Sequence, residues 1–242
     1  MLSWSQLSAL GGLDVTTLLA FAIAVWLGAA HCWRLALAWC LLFGAALLVA
    51  GVTQMAFLGW GIGVQAWDFT GFSGHATRAA AVFPVALFLL LGRRGQRKAD
   101  MQPAGSPERR QGGRLRAAVG VAVCAGCLLA AGVAVARVKV GAHSPSEAVA
   151  GCLLGLLTAG LFMARARAAR DHSPKPLLLG LLAATILLPR ADPIDGHQWL
   201  TAAAIKLAGH DRVYLRRDWQ PAPWPYVPPC DATRVRFDYL CL

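Results

Sequence analysis

Apolar positions along this chain come in blocks rather than in alternation. The stretches at about 14–30, 35–58, 74–91, 117–136, 147–164 and 177–189 are almost wholly apolar, with short polar or charged segments between them. Such blocks suit helices that satisfy their own backbone hydrogen bonds in hydrocarbon, where a span takes roughly 20 residues. The pattern predicts an all-α, polytopic membrane protein with a six-transmembrane-helix bundle. Gln54 interrupts the second block, and LLLGLLAATILLP at 177–189 is short for a span. Residues 1–190 are expected to form the membrane domain. Residues 191–242 are expected to form a non-cytoplasmic tail, helical around HQWLTAAAIKLAG and extended in the proline-stiffened PAPWPYVPPC.

Composition strengthens this picture. Mean hydropathy is +0.53 and only 14% of residues are charged, against about 25% in soluble domains. A net charge of +11 would fit nucleic acid, but its placement argues otherwise. Eight basic and two acidic residues lie between Arg93 and Arg116, and four basic with one acidic between Arg165 and Lys175. Basic inter-helix loops mark the cytoplasmic side, with anionic lipid headgroups as their neighbours. His31 and Arg34, after the first block, agree. The N-terminus, the 59–73 loop, the 137–146 loop and the tail then share the opposite face.

Cysteines add no framework. Cys40, Cys124, Cys127 and Cys152 fall in apolar blocks, where a thiol is an ordinary packing group, while Cys230 and Cys241 could pair in an exterior tail. The opening MLSWSQLSALGGLD lacks the basic region of a cleaved signal, so Asp14 is expected to begin a retained helix. Zinc chemistry would need clustered ligands, whereas His31 and His172 are assigned to one face and His197 and His210 to the tail. No metal or other cofactor is expected, and the sequence indicates no particular protein partner.

Two stretches carry candidate chemistry. In FSGHATR, Ser73 and Gly74 precede a long helical pattern, and His75 and Arg78 share a face of its first turn. A helix start of this kind either is capped by serine or receives an anion. In RVKVGAHSPSE, Ser144, Pro145 and Glu147 have the spacing of a capping box with proline at the first helical position. That spacing explains Glu147 but not His143 before the cap or Arg137 at the end of an apolar helix. Phosphoryl transfer needs cations around three oxygens, a nucleophile and an acid for the leaving oxygen. Two imidazoles, a carboxylate and arginine would supply them.

At these residues the chain resembles the type 2 phosphatidic acid phosphatase (PAP2) superfamily of integral membrane phosphatases, whose motifs are K-x6-R-P, P-S-G-H and S-R-x5-H-x3-D. FSGH at 72–75 matches the second motif with Phe72 for proline. ARVKVGAHSPSE at 136–147 matches the third, with Ala136 for serine and Glu147 for aspartate. The first motif is replaced, with Gln54 at the lysine position and Gly61-Ile62 at the Arg-Pro pair. The resemblance implies a metal-independent phosphatase acting on a phosphoglycerolipid, a polyprenyl phosphate or diphosphate, or a phosphorylated lipid A. It implies His143 as the nucleophile of a phosphohistidine intermediate, His75 as acid and then base, and Glu147 as the group orienting His143. Ser73, Gly74 and Arg137 would hold the phosphoryl oxygens, with Arg78 and Lys139 as replacement cations. A bacterial inner membrane, with the site facing the periplasm or exterior, is the implied location. The alternative on the same frame is a lipid-phosphate binder or transporter without hydrolysis.

Overall fold

The computed structural model describes residues 3–91, 107–168, 196–209 and 211–219. Its elements are α1 (Trp4–Ala9), α2 (Leu13–Ala29), α3 (Trp33–Trp60), α4 (Gly74–Leu90), α5 (Pro107–Lys139), α6 (Pro145–Ala168) and α7 (Gly196–Ala208). Short 3-10 turns lie at Gln65–Trp67 and Arg216–Trp219. The described chain is helical, and its strand-like pairing is a single bridge between Val64 and Phe69.

Four helical runs among the described residues are long and apolar enough to cross a membrane: Trp4–Ala29, Trp33–Trp60, Arg110–Lys139 and Pro145–Arg167. Their outward faces carry exposed Phe21, Leu37, Leu48, Val121, Leu128 and Leu153. Water would disfavour such a surface, whereas lipid chains accept it. The protein is therefore a helical membrane protein. The expected sixth block, 177–189, lies outside the described residues, as do Cys230, Cys241, His172, His210 and the PAPWPYVPPC stretch.

The central element is α4. It has 17 residues, about 26 Å at the α-helical rise, and nearly every side chain from Ala76 to Leu89 is buried. Apolarity on all sides is the pattern of an enclosed helix. Small residues let its neighbours approach. A Cβ on Gly151 of α6 would sit 2.6 Å from the Ser73 carbonyl oxygen, and one on Gly126 of α5 would sit 2.7 Å from Pro84 Cα. Ala76, Ala134 and Ala148 bring α4, α5 and α6 together near the site. Toward the other end, Trp39 anchors the core. Its indole nitrogen donates to the Ala20 carbonyl at 2.9 Å, and its ring stacks on Phe43 and meets the edge of Phe162.

Two sequence expectations change here. Helical structure begins at Trp4, with Ser3 and Gln6 forming a capping box, and breaks at Gly11–Gly12 before α2. Gln54 does not interrupt α3, which runs on to a left-handed cap at Gly61. A polar side chain does not end a helix whose backbone bonds are internal; Gln54 instead turns its amide inward to a loop carbonyl. The expected tail helix forms as α7 and packs on α3, with Ala204 and Ala208 against Gly59.

Candidate active site

The helix end and turn after α5 set the geometry of Arg137 and His143. Gly141 takes a φ of 72°, the left-handed conformation that glycine adopts without a Cβ penalty. The chain folds back, so the backbone N–H groups of Ala142 and His143 both donate to the Arg137 carbonyl, at 3.1 and 3.3 Å. The six-residue separation between the two is thus one closed turn at the mouth of the bundle.

Pro145 then starts α6, and Ser144 and Glu147 form the expected reciprocal box. The Ser144 N–H donates to Glu147 Oε2 at 3.1 Å, and the Glu147 N–H donates to Ser144 Oγ at 3.3 Å. The same Oε2 accepts from His143 Nδ1 at 2.7 Å and from Arg216 Nη2 at 2.6 Å. Glu147 Oε1 accepts from the backbone and the hydroxyl of Thr70. The cap and the histidine do not divide the two carboxylate oxygens between them. Here one oxygen serves both, because the cap N–H and His143 belong to adjacent residues, and the second oxygen faces the 61–73 loop.

Glu147 is fully buried. A carboxylate with donors on both oxygens can only accept, so the His143 proton sits on Nδ1 and the lone pair on Nε2. Glu147 therefore both caps a helix and fixes an imidazole tautomer.

The α4 start lies directly beside this arrangement. The Ser73 backbone N–H donates to the Glu147 carbonyl at 3.1 Å, tying the first turns of α4 and α6 together. Ser73 occupies the N-cap position, yet its hydroxyl makes no capping bond. It is fully buried, and its Oγ has no hydrogen-bond partner. Arg137 Nε is likewise buried and unpartnered. Buried polar atoms are rarely left unpaired, and unpaired donors at a helix start suit an anion. Gln54 Nε2 donates to the Phe72 carbonyl at 2.6 Å, and Thr53 Oγ1 accepts from the Phe72 N–H at 3.2 Å, so α3 holds this loop from below.

His75 lies near Arg78, Arg137 and His143. Its Nδ1 stands 3.4 Å from Arg78 Nη2. Guanidinium only donates, so this contact leaves the proton of a neutral His75 on Nε2. Arg78 is buried rather than lipid-facing. Its other bonds run to Thr16 Oγ1 at 3.1 Å and the Gly11 carbonyl at 3.2 Å. Gly74 leaves room for it, since a Cβ there would stand 3.0 Å from Arg78 Nη1.

The predicted residues thus separate. Ser73, Gly74, His75, Arg78, Arg137, His143 and Glu147 come to one end of the bundle, whereas Lys139 is exposed at the last turn of α5 and none of the described contacts joins it to them. Asp68, in the loop before α4, meets Arg216 Nη1 at 3.4 Å. The Arg78 side chain turns toward α2, while the 211–219 segment covers the loop.

Sequence reasoning missed Thr70, Arg216, and the three N-terminal groups that receive the site arginines: Ser8, Gly11 and Thr16. Ser8 Oγ accepts from Arg137 Nη1 at 3.1 Å. None of these carries a motif. A residue pattern suggestive of a buried polar face, Ser8 and Thr16 within an apolar helix pair, was the one available signal.

Residues 53–171 match the family model of the PAP2 superfamily. Over 157 residues the chain is 35% identical to an uncharacterized 22.5 kDa protein in the cps region of Klebsiella pneumoniae. That match covers 64% of this chain and 65% of the relative, so the chain spans just under two-thirds of the relative's length. No solved structure gives a significant match. Residues 53–171, which contain Gln54, His75, Arg137, His143 and Glu147, are thus similar to the PAP2 superfamily, with the first of its motifs altered.

Proposed function

We propose that the protein is a membrane phosphatase that hydrolyses a lipid phosphate or diphosphate through a phosphohistidine intermediate. The observation that carries this reading is the Glu147–His143 contact beside the unpartnered Ser73 hydroxyl at the start of α4. His143 Nε2 attacks phosphorus while the bond to the leaving oxygen breaks, and His75, charged by the proton that a phosphate monoanion brings, gives that oxygen its Nε2 proton. Glu147 balances the positive charge on the phosphorylated imidazole. His75, now a neutral imidazole, takes a proton from water at Nε2. The resulting hydroxide attacks phosphorus, the P–N bond breaks, and His143 is restored as phosphate leaves. Ser73, the Gly74 N–H and Arg137 hold the equatorial oxygens.

The lipid tail would remain among the helices while its head reaches the site. The substrate is a phosphoglycerolipid, polyprenyl or lipid A type. In this reading 177–189 completes a six-helix bundle in a bacterial inner membrane. Arg110, Arg114 and Arg116 of α5 and Arg165 and Arg167 of α6 lie at the helix ends away from the histidines. Basic ends of this kind favour anionic lipids on the cytoplasmic side, with the site facing the periplasm or exterior.

Purified protein given a panel of detergent-solubilised lipid phosphates should release inorganic phosphate, and His143→Ala should abolish that release. A specific observation also favours non-hydrolytic binding. Gln54 stands at a cation position with its amide spent on Phe72, and Arg78 is engaged by Thr16 and Gly11. Saturable binding of a lipid phosphate with no release across the panel would decide for that second reading.

A further inference from the structure

We propose that the segment 211–219 is a working part of this site, and that Arg216 is a positioning residue for the Glu147–His143 pair. The proposal rests on the phosphohistidine reading, but concerns a residue outside the 53–171 match.

The segment is docked at several points. The Tyr214 N–H donates to the Leu58 carbonyl at 2.8 Å, Gln65 Nε2 donates to the Trp219 carbonyl at 2.9 Å, and Trp219 meets the Phe57 ring edge-on at 5.1 Å. Two glycines make room. A Cβ at Gly61 would stand 2.9 Å from Tyr214 Cδ1, and one at Gly63 would stand 2.7 Å from Trp219 Cζ2. Gly61 is the position at which the altered first motif lacks its arginine. A side chain there and this docked segment would compete for the same space.

Docking delivers Arg216 between two carboxylates, Glu147 at 2.6 Å and Asp68 at 3.4 Å. Asp68 is half exposed, and water can answer its charge. Glu147 is sealed from water, and its other partners are backbone N–H groups, a hydroxyl and an imidazole. A buried carboxylate faced only by neutral donors is costly. Arg216 supplies the opposing charge, so Glu147 remains an acceptor, the His143 proton stays on Nδ1, and the Nε2 lone pair stays aimed at phosphorus.

Full-length protein carrying Arg216→Ala or Arg216→Lys should be assayed against the lipid phosphate that wild type cleaves, with His143→Ala as the blank. Arg216→Ala is expected to lower kcat about 100-fold with KM changed less than about threefold, and Arg216→Lys to recover about tenfold of that loss. A raised KM with unchanged kcat would show a substrate contact instead and overturn the proposal, as would unchanged kinetics. A second readout does not depend on turnover. Nitrogen-15 spectra of histidine-labelled protein should show a single Nδ1–H tautomer for His143 in wild type and Arg216→Lys, and a mixture in Arg216→Ala. The same single tautomer in all three also overturns it. If wild type releases no phosphate at all, the phosphatase reading fails, and the spectra still decide the role of Arg216.

Discussion

His143 and His75 stand at the starts of adjacent helices, yet the protein holds them differently. His143 is bonded at 2.7 Å to a fully buried carboxylate that is itself fixed by Ser144, Thr70 and Arg216. His75 has a 3.4 Å contact to Arg78, at the weak limit of hydrogen bonding. The two rings are also set in opposite tautomers. Nδ1–H on His143 leaves Nε2 with a lone pair, and acceptance at Nδ1 of His75 leaves Nε2 with a proton. A tightly held lone pair suits a nucleophile that must meet phosphorus in line. A ring held by one long contact suits a group that must give a proton to one oxygen and recover one from another. Chemistry, rather than symmetry, separates the two halves.

The largest effect should come from the fixed half. His143→Ala removes the atom that forms the P–N bond, and phosphate release should fall by at least about 10,000-fold, the loss seen when one member of a catalytic unit is deleted. Trapping of acid-labile, base-stable radiolabelled phosphate on wild type but not on the variant would sharpen the point. Retention of label by His143→Ala would move the nucleophile elsewhere. Glu147→Gln should follow, at about 1,000-fold, because an amide that donates toward Nδ1 selects the wrong tautomer. The measurement is kcat on the same substrate, and a loss below about tenfold would leave Glu147 as a helix cap alone.

The looser half predicts a conditional loss. His75→Ala should slow hydrolysis of a lipid alkyl phosphate about 100-fold, within the usual range for an acid-base group. An aryl phosphate leaves without protonation, so formation of the phosphohistidine from p-nitrophenyl phosphate should change less than about tenfold in a single-turnover burst. Equal losses on both substrates would show that His75 binds the phosphoryl group instead, and the contrast between the rings would disappear.

This contrast also explains what the sequence could reveal. The membrane class follows from block patterning, and the His143 half follows from local spacing, since Arg137, His143, Ser144 and Glu147 lie within eleven residues and obey turn and cap rules. The arginine partners of the site do not. Arg78 reaches Gly11 and Thr16, Arg137 reaches Ser8, and Glu147 is reached by Arg216, across separations of 62 to 129 residues. No periodicity encodes such pairings. Lys139 shows the reverse error. It lies two residues from Arg137 in sequence, but on a helix that offset turns it away, to an exposed position. The first motif is a third case. Gln54 reads as a lost cation, yet in the fold its amide supports the loop that carries Ser73.

The smallest effect is the one that separates the two duties of Glu147. Ser144→Ala removes the hydroxyl that accepts from the Glu147 N–H, but leaves the Ser144 N–H, which still donates to Oε2. The carboxylate therefore keeps its cap bond, its Thr70 bonds and its hold on His143, while α6 loses a side-chain acceptor. Loss of an N-cap hydroxyl costs about 1 kcal/mol, and here the bond removed is long at 3.3 Å. The apparent unfolding midpoint in detergent should drop slightly, while kcat stays within about threefold of wild type, since no group of the catalytic unit has moved. The pair Ser144→Ala and Glu147→Gln then divides the box: its hydroxyl belongs to the helix, and its carboxylate to the imidazole. A Ser144→Ala enzyme as slow as Glu147→Gln would mean that the cap, not the carboxylate charge, sets the position of His143.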